Sequence, residues 1–463
     1  MTDYGYLSVI DEKREMLDRL SDAIWDHPEL AFAEHAASAE LIGALEAEGF
    51  EVERNLAGIP TAFSGRFGKG GPVIGLLGEF DALSGLGQRA GVTEPRPDGR
   101  AAGHGCGHNL LSVGSLGAAM AVKRYLETTG APGTVIYYGC PGEEGGSGKA
   151  FMARDGAFDA LDAALSWHPK DITEVRCCST LANIQVLYRF DGRAAHAAYV
   201  PEQGRSALDA VELMNVGVNF LREHMIPDAR VHYAITDSGG ISPNVVQPHA
   251  EVLYLIRAPR NDQARELYGR VNDIAKGAAL MTGTTESHVF IKACSNVVTN
   301  GVIQSDLARI MKELTPPMPE ASSVEWAREL TLRGLGDMPN HDPDEPLHTG
   351  VIPYVDVETL QRSSTDVGDV SWVCPTAQIS VAAWVKGTPA HSWQAVAQGK
   401  GARAHQMTRY AAKVLAAEAV ALLTRPELLE AAKAEHRRKV GPEGYVPPIP
   451  QGVRPVAMEE LGK

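Results

Sequence analysis

Two imidazoles and one thiol lie close together in the segment Gly103-His104-Gly105-Cys106-Gly107-His108-Asn109. Thiolate and neutral imidazole are donors that suit Zn²⁺ and other first-row ions. The interspersed glycines let the backbone fold tightly around an ion, because they carry no Cβ. We therefore interpret Cys106 and His108 as metal ligands. One short loop cannot complete a coordination shell, so further donors must come from elsewhere in the chain.

Carboxylates follow two short apolar runs. The run Val73 to Glu79 ends at Glu79-Phe80-Asp81, and the run Thr134 to Cys140 leads into the vicinal pair Glu143-Glu144 within a glycine-rich loop. Runs of this length are typical of buried parallel strands. A vicinal pair can place one carboxylate on a metal and use the other as a base, which metal-assisted hydrolysis requires. The alternative is that these carboxylates are solvated turn residues.

Two more histidines follow predicted strands. His168 comes directly after the run Ala163 to Trp167, and His391 follows the run Gln378 to Val385. In an open, mostly parallel α/β sheet, ligands bind beyond the carboxyl ends of the strands. We therefore expect these histidines to meet the cysteine, histidine and carboxylate donors at one edge of a sheet.

The dipeptide Gly148-Lys149 resembles the end of a phosphate-binding loop, but the surrounding residues do not fit. That motif requires a glycine five residues before the second glycine and Ser or Thr after the lysine. This chain has Glu143 and Ala150 at those positions. The sequence therefore does not predict nucleotide binding.

From Asn183 the strand-helix alternation changes. The order strand, helix, strand, strand, helix, strand indicates a ferredoxin-like α+β domain, predicted at 184–190, 206–225, 231–236, 251–257, 262–281 and 287–294. The parallel pattern resumes afterwards, so this domain is an insertion. We predict a first catalytic part at 1–182, the inserted lid or dimerisation domain at 183–296 and a second catalytic part at 297–463. The fold class is α/β, with a mostly parallel open sheet, helices on both faces and this insertion.

Other segments are less informative. Helices are expected at 11–26, 38–48 and about 395–423, and a further helix is expected to end at Tyr125, with Asn109 as its cap. Residues 296–348 are rich in proline and charge and contain two short helical patterns. The tail from Gly441 is expected to be an extended arm.

Composition limits the class of function. The formal charge of -15 argues against binding to nucleic acid or to anionic membranes, because both depend on Lys and Arg patches. No basic region followed by an apolar run opens the sequence, so a cytoplasmic location is expected. Six cysteines in 463 residues do not indicate a disulfide framework. Small molecules or proteins are the expected partners.

Taken together, these motifs resemble the aminoacylase and carboxypeptidase G superfamily of dinuclear-metal amidohydrolases. The similarity is to the branch with a cysteine ligand, which includes auxin-conjugate hydrolases and hippurate hydrolase, and it extends over nearly the whole chain. The segments that carry it are Gly78 to Leu83, Gly103 to Asn109, Pro141 to Gly146 and Trp167 to Pro169. The chain departs from the auxin-conjugate pattern at Glu79 and Asn109, where that pattern has Asp. Because the set of ligand residues is intact, this difference bears on the substrate class more than on the reaction.

The resemblance implies a role for each of these residues. Two divalent ions per subunit, Zn²⁺ or Mn²⁺, would be held by Cys106, His108, Glu144, His168 and His391, with Cys106 in the bridging position. Glu143 would be the general base, and Asp81 would orient a ligand histidine. His196 would stabilise the tetrahedral intermediate, reaching into the partner's site in a dimer, while Asn244 and Arg257 would contact the carbonyl and carboxylate of the substrate. Considered alone, His196 is a loop histidine and Arg257 could pair with any surface acid.

The implied reaction is hydrolysis of a small N-acyl amino acid such as aminobenzoyl-glutamate, by water activated between the ions and deprotonated by Glu143. A dipeptidase or another N-acyl amino acid deacylase is an alternative. A regulatory subunit of a hetero-oligomeric hydrolase is the non-enzyme alternative, and the complete donor set argues against it. A cysteine hydrolase built on Cys106 fits less well, because carboxylates accompany the thiol. The chain is expected to form a homodimer or to pair with a related subunit.

Overall fold

The structure is a computed structural model that describes Tyr4 to Gly336 and Met338 to Ala457. The chain divides into two compact units. The first unit comprises Met1–Cys178, Val298–Thr359 and Val370–Tyr445, and the second comprises Ser179–Val297, Leu360–Asp369 and the chain from Val446 onward. Among the helices of the described residues, none is long and apolar enough to span a membrane.

The strands in chain order are β1 (Glu51–Arg54), β2 (Phe63–Lys69), β3 (Val73–Glu79), β4 (Leu83–Ser84), β5 (Ala102–Gly103), β6 (Gly133–Cys140), β7 (Ala163–Lys170), β8 (Glu174–Val175), β9 (Cys178–Thr180), β10 (Ala182–Asp191), β11 (Arg230–Asp237), β12 (His249–Ala258), β13 (Thr285–Cys294), β14 (Thr359–Gln361) and β15 (Thr376–Ala382).

The helices are α1 (Ser8–Glu12), α2 (Arg14–Asp26), α3 (His35–Ala47), α4 (His108–Thr129), α5 (Gly148–Arg154), α6 (Ala207–Leu221), α7 (Asn261–Thr282), α8 (Gly301–Glu313), α9 (Ala321–Leu330), α10 (Val367–Val373), α11 (Trp393–Gln398), α12 (Ala402–Thr424) and α13 (Pro426–Val440). A π-helical turn, Thr331–Leu335, follows α9.

The first unit is built on a seven-stranded sheet in the order β1-β2-β6-β3-β7-β15-β8. The four inner strands β6, β3, β7 and β15 are parallel, whereas β1, β2 and β8 are antiparallel to their neighbours. The inner strands are almost fully buried, which is why they appear in the sequence as continuous apolar runs. The predicted α/β fold with a central, mostly parallel sheet is therefore confirmed.

Helices α4 and α12 pack against each other and against this sheet. Helix α4 is buried nearly all round in its first four turns, because its residues there are apolar or small. At Gly114 the helix approaches β7 so closely that a Cβ would lie 2.6 Å from the Trp167 indole nitrogen. The same nitrogen donates a hydrogen bond to Leu111 O at 3.0 Å. Each leucine buried in this core contributes about 1.5–3 kcal/mol to stability.

The second unit contains a four-stranded antiparallel sheet in the order β11-β12-β10-β13. Helices α6 and α7 pack on β10 and β12. The chain order is β10, α6, β11, β12, α7, β13, which is the ferredoxin-like order expected from the sequence. Strand β11 is paired only with β12, so it forms one edge of the sheet within the described chain.

Some local predictions were wrong. The cap of α4 is Gly107 rather than Asn109, which lies inside the helix and donates from its amide to Ser21 Oγ and Gly399 O, both at 3.0 Å. His168 lies within β7 and not beyond its end. The long helix expected at 395–423 is two helices, α11 and α12. Residues 441–457 contain no helix or strand, and the last part of the predicted arm, 458–463, lies outside the described residues.

Candidate metal centre

The cysteine and histidine of the glycine-rich loop are placed by the start of α4. Gly107 caps this helix with φ of 72°, and a Cβ there would lie 2.7 Å from the Pro169 ring. Glycine is the residue that adopts this conformation without strain and without such a clash. The tight turn places the Cys106 and His108 side chains beside the strand that carries His168.

Donor atoms of five predicted ligands form two overlapping groups. In each group, one donor atom from every residue lies within 4.8 Å of the others. One group is Cys106, His108 and His168, and the other is Cys106, Glu144 and His391. Cys106 belongs to both groups, so its sulfur lies where it could bridge two ions.

Individual contacts hold these groups together. Cys106 Sγ lies 3.4 Å from His168 Nε2, whose other ring nitrogen, Nδ1, lies 2.8 Å from Pro169 O. His391 Nε2 lies 3.3 Å from Glu144 Oε1. His391 has a left-handed backbone with φ of 56°, and its N–H donates to Gly105 O at 3.0 Å. A strained conformation of a non-glycine residue is common at functional positions, and here it ties His391 to the cysteine loop.

Asp81 contacts two of the predicted ligands. Its Oδ1 lies 2.9 Å from His108 Nδ1, and its Oδ2 accepts a hydrogen bond from the Glu144 backbone N–H at 2.9 Å. The first contact is the one expected of a residue that orients a ligand histidine. The second was not anticipated, and it couples the carboxylate loop to the histidine helix through one buried side chain.

Glu79 and Lys149 form a buried ion pair beside the centre. Glu79 Oε1 lies 2.8 Å from Lys149 Nζ, and Glu79 Oε2 lies 3.2 Å from His108 Nε2. Glu79, His108 and Glu143 make a third group of close donor atoms. From the sequence, Lys149 had no role beyond an unsuitable phosphate-loop motif, so this pairing was missed. The available signal was a lysine directly before the apolar run Ala150 to Ala153, since a lysine in an apolar helix is buried only when paired.

The loop that carries Glu143 and Glu144 is anchored by a second buried acid. Glu34 Oε1 accepts a hydrogen bond from Gly142 N at 2.8 Å, and Glu34 Oε2 accepts one from Thr61 Oγ1 at 3.0 Å. The loop also lies against Phe32, where a Cβ on Gly146 would approach the ring to 2.3 Å. Glu34 was not singled out from the sequence, because its partners are far away in the chain.

Burial and charge set the protonation of the centre. Burial lowers the pKa of His168 to about 3, so this ring is neutral at pH 7. Burial alone would raise the pKa of Glu144, but the His391 ring beside it and the charge of His108 lower it to about 2. Burial and then the charge of Glu144 raise the pKa of the Cys106 thiol well above its usual value. A nearby cation would reverse this effect and favour the thiolate.

Two buried polar atoms without hydrogen-bond partners indicate whether these residues fit a metal. Among the described residues, neither His108 Nε2 nor Glu144 Oε1 has a hydrogen-bond partner, although both are buried. Burial lowers the pKa of the His108 ring, but its contacts with Asp81 and Cys106 raise that pKa well above its usual value. A bound cation would replace the Nε2 proton, which otherwise faces Glu79 Oε2 at 3.2 Å. Divalent cations bound here would be coordinated by His108 Nε2 and by Glu144 Oε1. Thiolate, imidazole and carboxylate are also the donors that zinc sites use, so the residues fit a divalent metal.

The other histidine of the glycine-rich loop, which was not predicted as a ligand, and the predicted substrate-contact residues lie elsewhere. His104 is buried, with Nε2 3.1 Å from Ile24 O, and it belongs to none of the donor groups found in the described chain. His196, Asn244 and Arg257 lie in the second unit. There, Ala197 N donates to Asn244 O at 2.9 Å, so the loops of His196 and Asn244 are joined.

Residues 75–443 match the family model described as peptidase family M20/M25/M40. The chain belongs to this family. It is 46% identical to a subunit of p-aminobenzoyl-glutamate hydrolase from Escherichia coli, with 96% of this chain and 97% of that protein covered. It is also 31% identical to Xaa-Arg dipeptidase of Mus musculus, with 94% and 92% covered.

Among solved structures, a dinuclear metal-binding peptidase of the M20 family from Bacillus subtilis matches with a TM-score of 0.53 and 15% identity, covering 89% of this chain and 99% of that one. This match supports the fold. Family membership and the relatives establish the chain as a metal-dependent amide hydrolase. The predicted resemblance is confirmed.

Proposed function

We propose that the chain hydrolyses the amide bond of a small N-acyl amino acid that carries a free carboxylate, such as aminobenzoyl-glutamate. The observation that carries this proposal is the pair of donor groups sharing Cys106. The substrate class is supported by the 46% identity to a subunit of p-aminobenzoyl-glutamate hydrolase over nearly the whole chain.

In this proposal, Cys106, His108 and His168 hold one divalent ion, and Cys106, Glu144 and His391 hold a second, Zn²⁺ or Mn²⁺. Such ions lower the pKa of water and polarise a carbonyl oxygen. The neutral ring of His168 and the ionised Glu144 already have the protonation states that ligands need. Asp81 fixes His108 and the Glu144 loop relative to each other, because each of its two oxygens contacts one of them.

Glu143 is the proposed general base. Its carboxylate belongs to the donor group of His108 and Glu79, so it lies beside the centre. In the proposed reaction, Glu143 takes a proton from the attacking water as a C–O bond forms at the carbonyl. It then gives that proton to the amine nitrogen as the C–N bond breaks, which releases an amine and a carboxylic acid.

We assign His196, Asn244 and Arg257 to substrate and oxyanion contacts, as the family resemblance implies. His196 Nδ1 accepts hydrogen bonds from Ala198 N at 3.2 Å and Tyr199 N at 3.1 Å, which leaves Nε2 as a proton donor. Arg257 donates to Ser364 Oγ at 2.8 Å and has no carboxylate partner within the described part of the chain. A substrate carboxylate would supply one.

The second unit is the proposed lid and pairing domain, corresponding to the predicted insertion at 183–296. Its edge strand β11 is exposed from His232 onward, including the side chains of Tyr233 and Ile235. An edge strand with apolar exposed residues can extend its sheet with a strand from another chain. Because the E. coli relative is named as one subunit of its enzyme, the partner is a second copy or a related subunit. Ile235→Lys should convert the oligomer to monomer in sedimentation, with metal content unchanged.

A dipeptidase is the second candidate, and the 31% identity to Xaa-Arg dipeptidase favours it over other kinds of N-acyl amino acid deacylase. A screen of the Zn²⁺- or Mn²⁺-loaded protein against aminobenzoyl-glutamate, other N-acyl amino acids and Xaa-Arg dipeptides separates them. We expect the highest kcat/KM with aminobenzoyl-glutamate. Preferred cleavage of Xaa-Arg dipeptides would transfer the assignment to the dipeptidase. No hydrolysis by protein with both ions bound, alone or with a related subunit, would contradict the proposal.

A further inference from the structure

A cavity of about 260 Å³ lies in the first unit, formed by residues outside the metal centre. Its walls come from the start of α9, from Ala383 and Val385 just after β15, from the end of α11 and from the first turn of α12. None of the proposed metal ligands, and neither Glu143 nor Asp81, lines it. The cavity is therefore distinct from the catalytic site described above.

One charged side chain lines this cavity. Arg403 is only 7% exposed. Its guanidinium donates to three neutral acceptors: Nη1 to Pro317 O at 2.8 Å and to Gln406 Oε1 at 2.9 Å, and Nη2 to His348 O at 3.1 Å. Nε is buried without a hydrogen-bond partner, and no carboxylate within the described chain pairs with this arginine.

A buried cation without an anion is costly. Removing an ion from water carries a large free-energy penalty, which a partner of opposite charge normally offsets. Burial lowers the pKa of Arg403 to about 10, which still leaves the guanidinium charged at neutral pH. The cavity walls cannot neutralise this charge, because none of the described residues that form them is acidic.

Two helix starts add to the positive potential. Ser322 and Ser323, in the first turn of α9, and Ala402 to Ala404, in the first turn of α12, all line the cavity. Neither helix has a side-chain cap on its first N–H groups. The N-terminus of a helix favours anions through these N–H groups and through the helix dipole. Both helices and the guanidinium therefore favour a negative ligand group.

The remaining walls are mostly apolar. Trp326, Ala327, Leu347 and Val385 contribute to the lining. A bare inorganic anion would leave these surfaces facing water, whereas a ligand with an apolar body would cover them. An apolar cavity of about 150 Å³ holds benzene, so a volume of about 260 Å³ accommodates a body of one ring.

We propose that this cavity binds a small monocarboxylate with an apolar body, whose carboxylate pairs with Arg403. This second site goes beyond the proposed hydrolase function. The carboxylate would offset the charge of the Arg403 guanidinium and accept from the first N–H groups of α9 and α12, and the apolar body would pack on Trp326 and Leu347. Charge-assisted hydrogen bonds of this kind are among the strongest in proteins.

The test uses the full-length, metal-loaded protein and benzoate as the probe, with benzamide as its neutral counterpart. Titration calorimetry should show saturable binding of benzoate, at least ten-fold tighter than that of benzamide. Arg403→Met should weaken benzoate binding at least ten-fold. Ser323→Trp, which fills the cavity from its partly exposed side, should also abolish binding. Arg438→Met, at an exposed arginine in α13, is the matched control and should bind as the unaltered protein does.

Binding at the catalytic centre is distinguished by Cys106→Ala and Arg257→Gln, which should leave this benzoate site intact even where hydrolysis is lost. If Arg403→Met does not fold, the comparison of benzoate with benzamide in Cys106→Ala decides the matter, because the catalytic centre is lost there. Equal binding of both probes, unchanged binding in folded Arg403→Met and Ser323→Trp, or loss of benzoate binding in Cys106→Ala would overturn the proposal. Absence of benzoate binding at millimolar concentration would overturn it as well.

Discussion

The two units differ in the kinds of side chain that they bury and expose. Around the metal centre of the first unit, charged groups are buried and paired, as Glu79 is with Lys149 and Asp81 is with His108. The second unit exposes large apolar side chains, among them Phe220 at 71% and Leu280 at 85%. Exposed apolar surface of this kind marks interaction sites. The comparison shows that one unit assembles its chemistry internally, while the other presents a surface suited to a partner.

The largest effect should come from the shared ligand. Because Cys106 belongs to both donor groups, Cys106→Ala should release both ions and reduce hydrolysis by more than about 100-fold. Cys374→Ala, at another buried cysteine of the first unit, should keep both. Metal content by mass spectrometry of the purified proteins measures this. Retention of one tightly held ion in Cys106→Ala would show that the sulfur serves a single site.

The adjacent carboxylates should separate chemistry from metal binding. Glu143→Gln should lower kcat by about 10²–10⁴-fold and keep the metal, because it removes only the base. Glu144→Gln should lose metal too, since that carboxylate contacts both His391 and the cysteine group. Equal metal loss in the two variants would contradict the division of roles within the pair.

Mixing two inactive variants tests whether the second unit of one chain supplies His196 to the metal centre of another chain. If His196 acts in the partner's site, a mixed dimer of His196→Ala and Glu143→Gln has one doubly altered site and one intact site. With random exchange of equal amounts, about a quarter of the activity should return. Proven subunit exchange without recovery would place His196 in its own chain's site or give it only a structural role.

Much of this arrangement could be predicted because buried parallel strands appear as continuous apolar runs. The run ending at Glu79 is β3 to the residue, and the four-strand, two-helix order of the second unit agrees with the sequence pattern. Donors placed at the ends of such strands must meet at one sheet edge. That geometric rule brings Glu144 and His391 together from the sequence alone, whereas Cys106 follows β5, a strand of a separate two-stranded sheet.

The features that escaped prediction depend on contacts between distant parts of the chain. The pairing of Lys149 with Glu79 and the anchoring of the Gly142 loop by Glu34 leave no periodic signal. Residues 296–348 were not placed, and they supply α9 and part of the cavity around Arg403. Propensity could suggest helices there, but only tertiary packing determines which residues they bury.

The smallest predicted effect concerns the buried acid that holds the carboxylate loop. Burial and the charge of Asp81 raise the pKa of Glu34 from 4.5 to about 8. The folded state therefore holds this proton more tightly than the unfolded chain does, so the contribution to stability is complete below pH 4.5 and is lost as the pH rises through 8. Glu34→Gln stays neutral and can still accept from Gly142 N.

The gain in unfolding free energy of Glu34→Gln over the unaltered protein should therefore grow between about pH 5 and about pH 8 and then level off. Its size should be on the order of a few kcal/mol. Denaturant unfolding of the metal-free proteins measures it, because metal binding has its own pH dependence. Glu40→Gln, at an exposed glutamate of α3, is the control and should parallel the unaltered protein. Parallel curves for Glu34→Gln would mean that water reaches this acid, and that the buried charges of the first unit are less secluded than their contacts indicate.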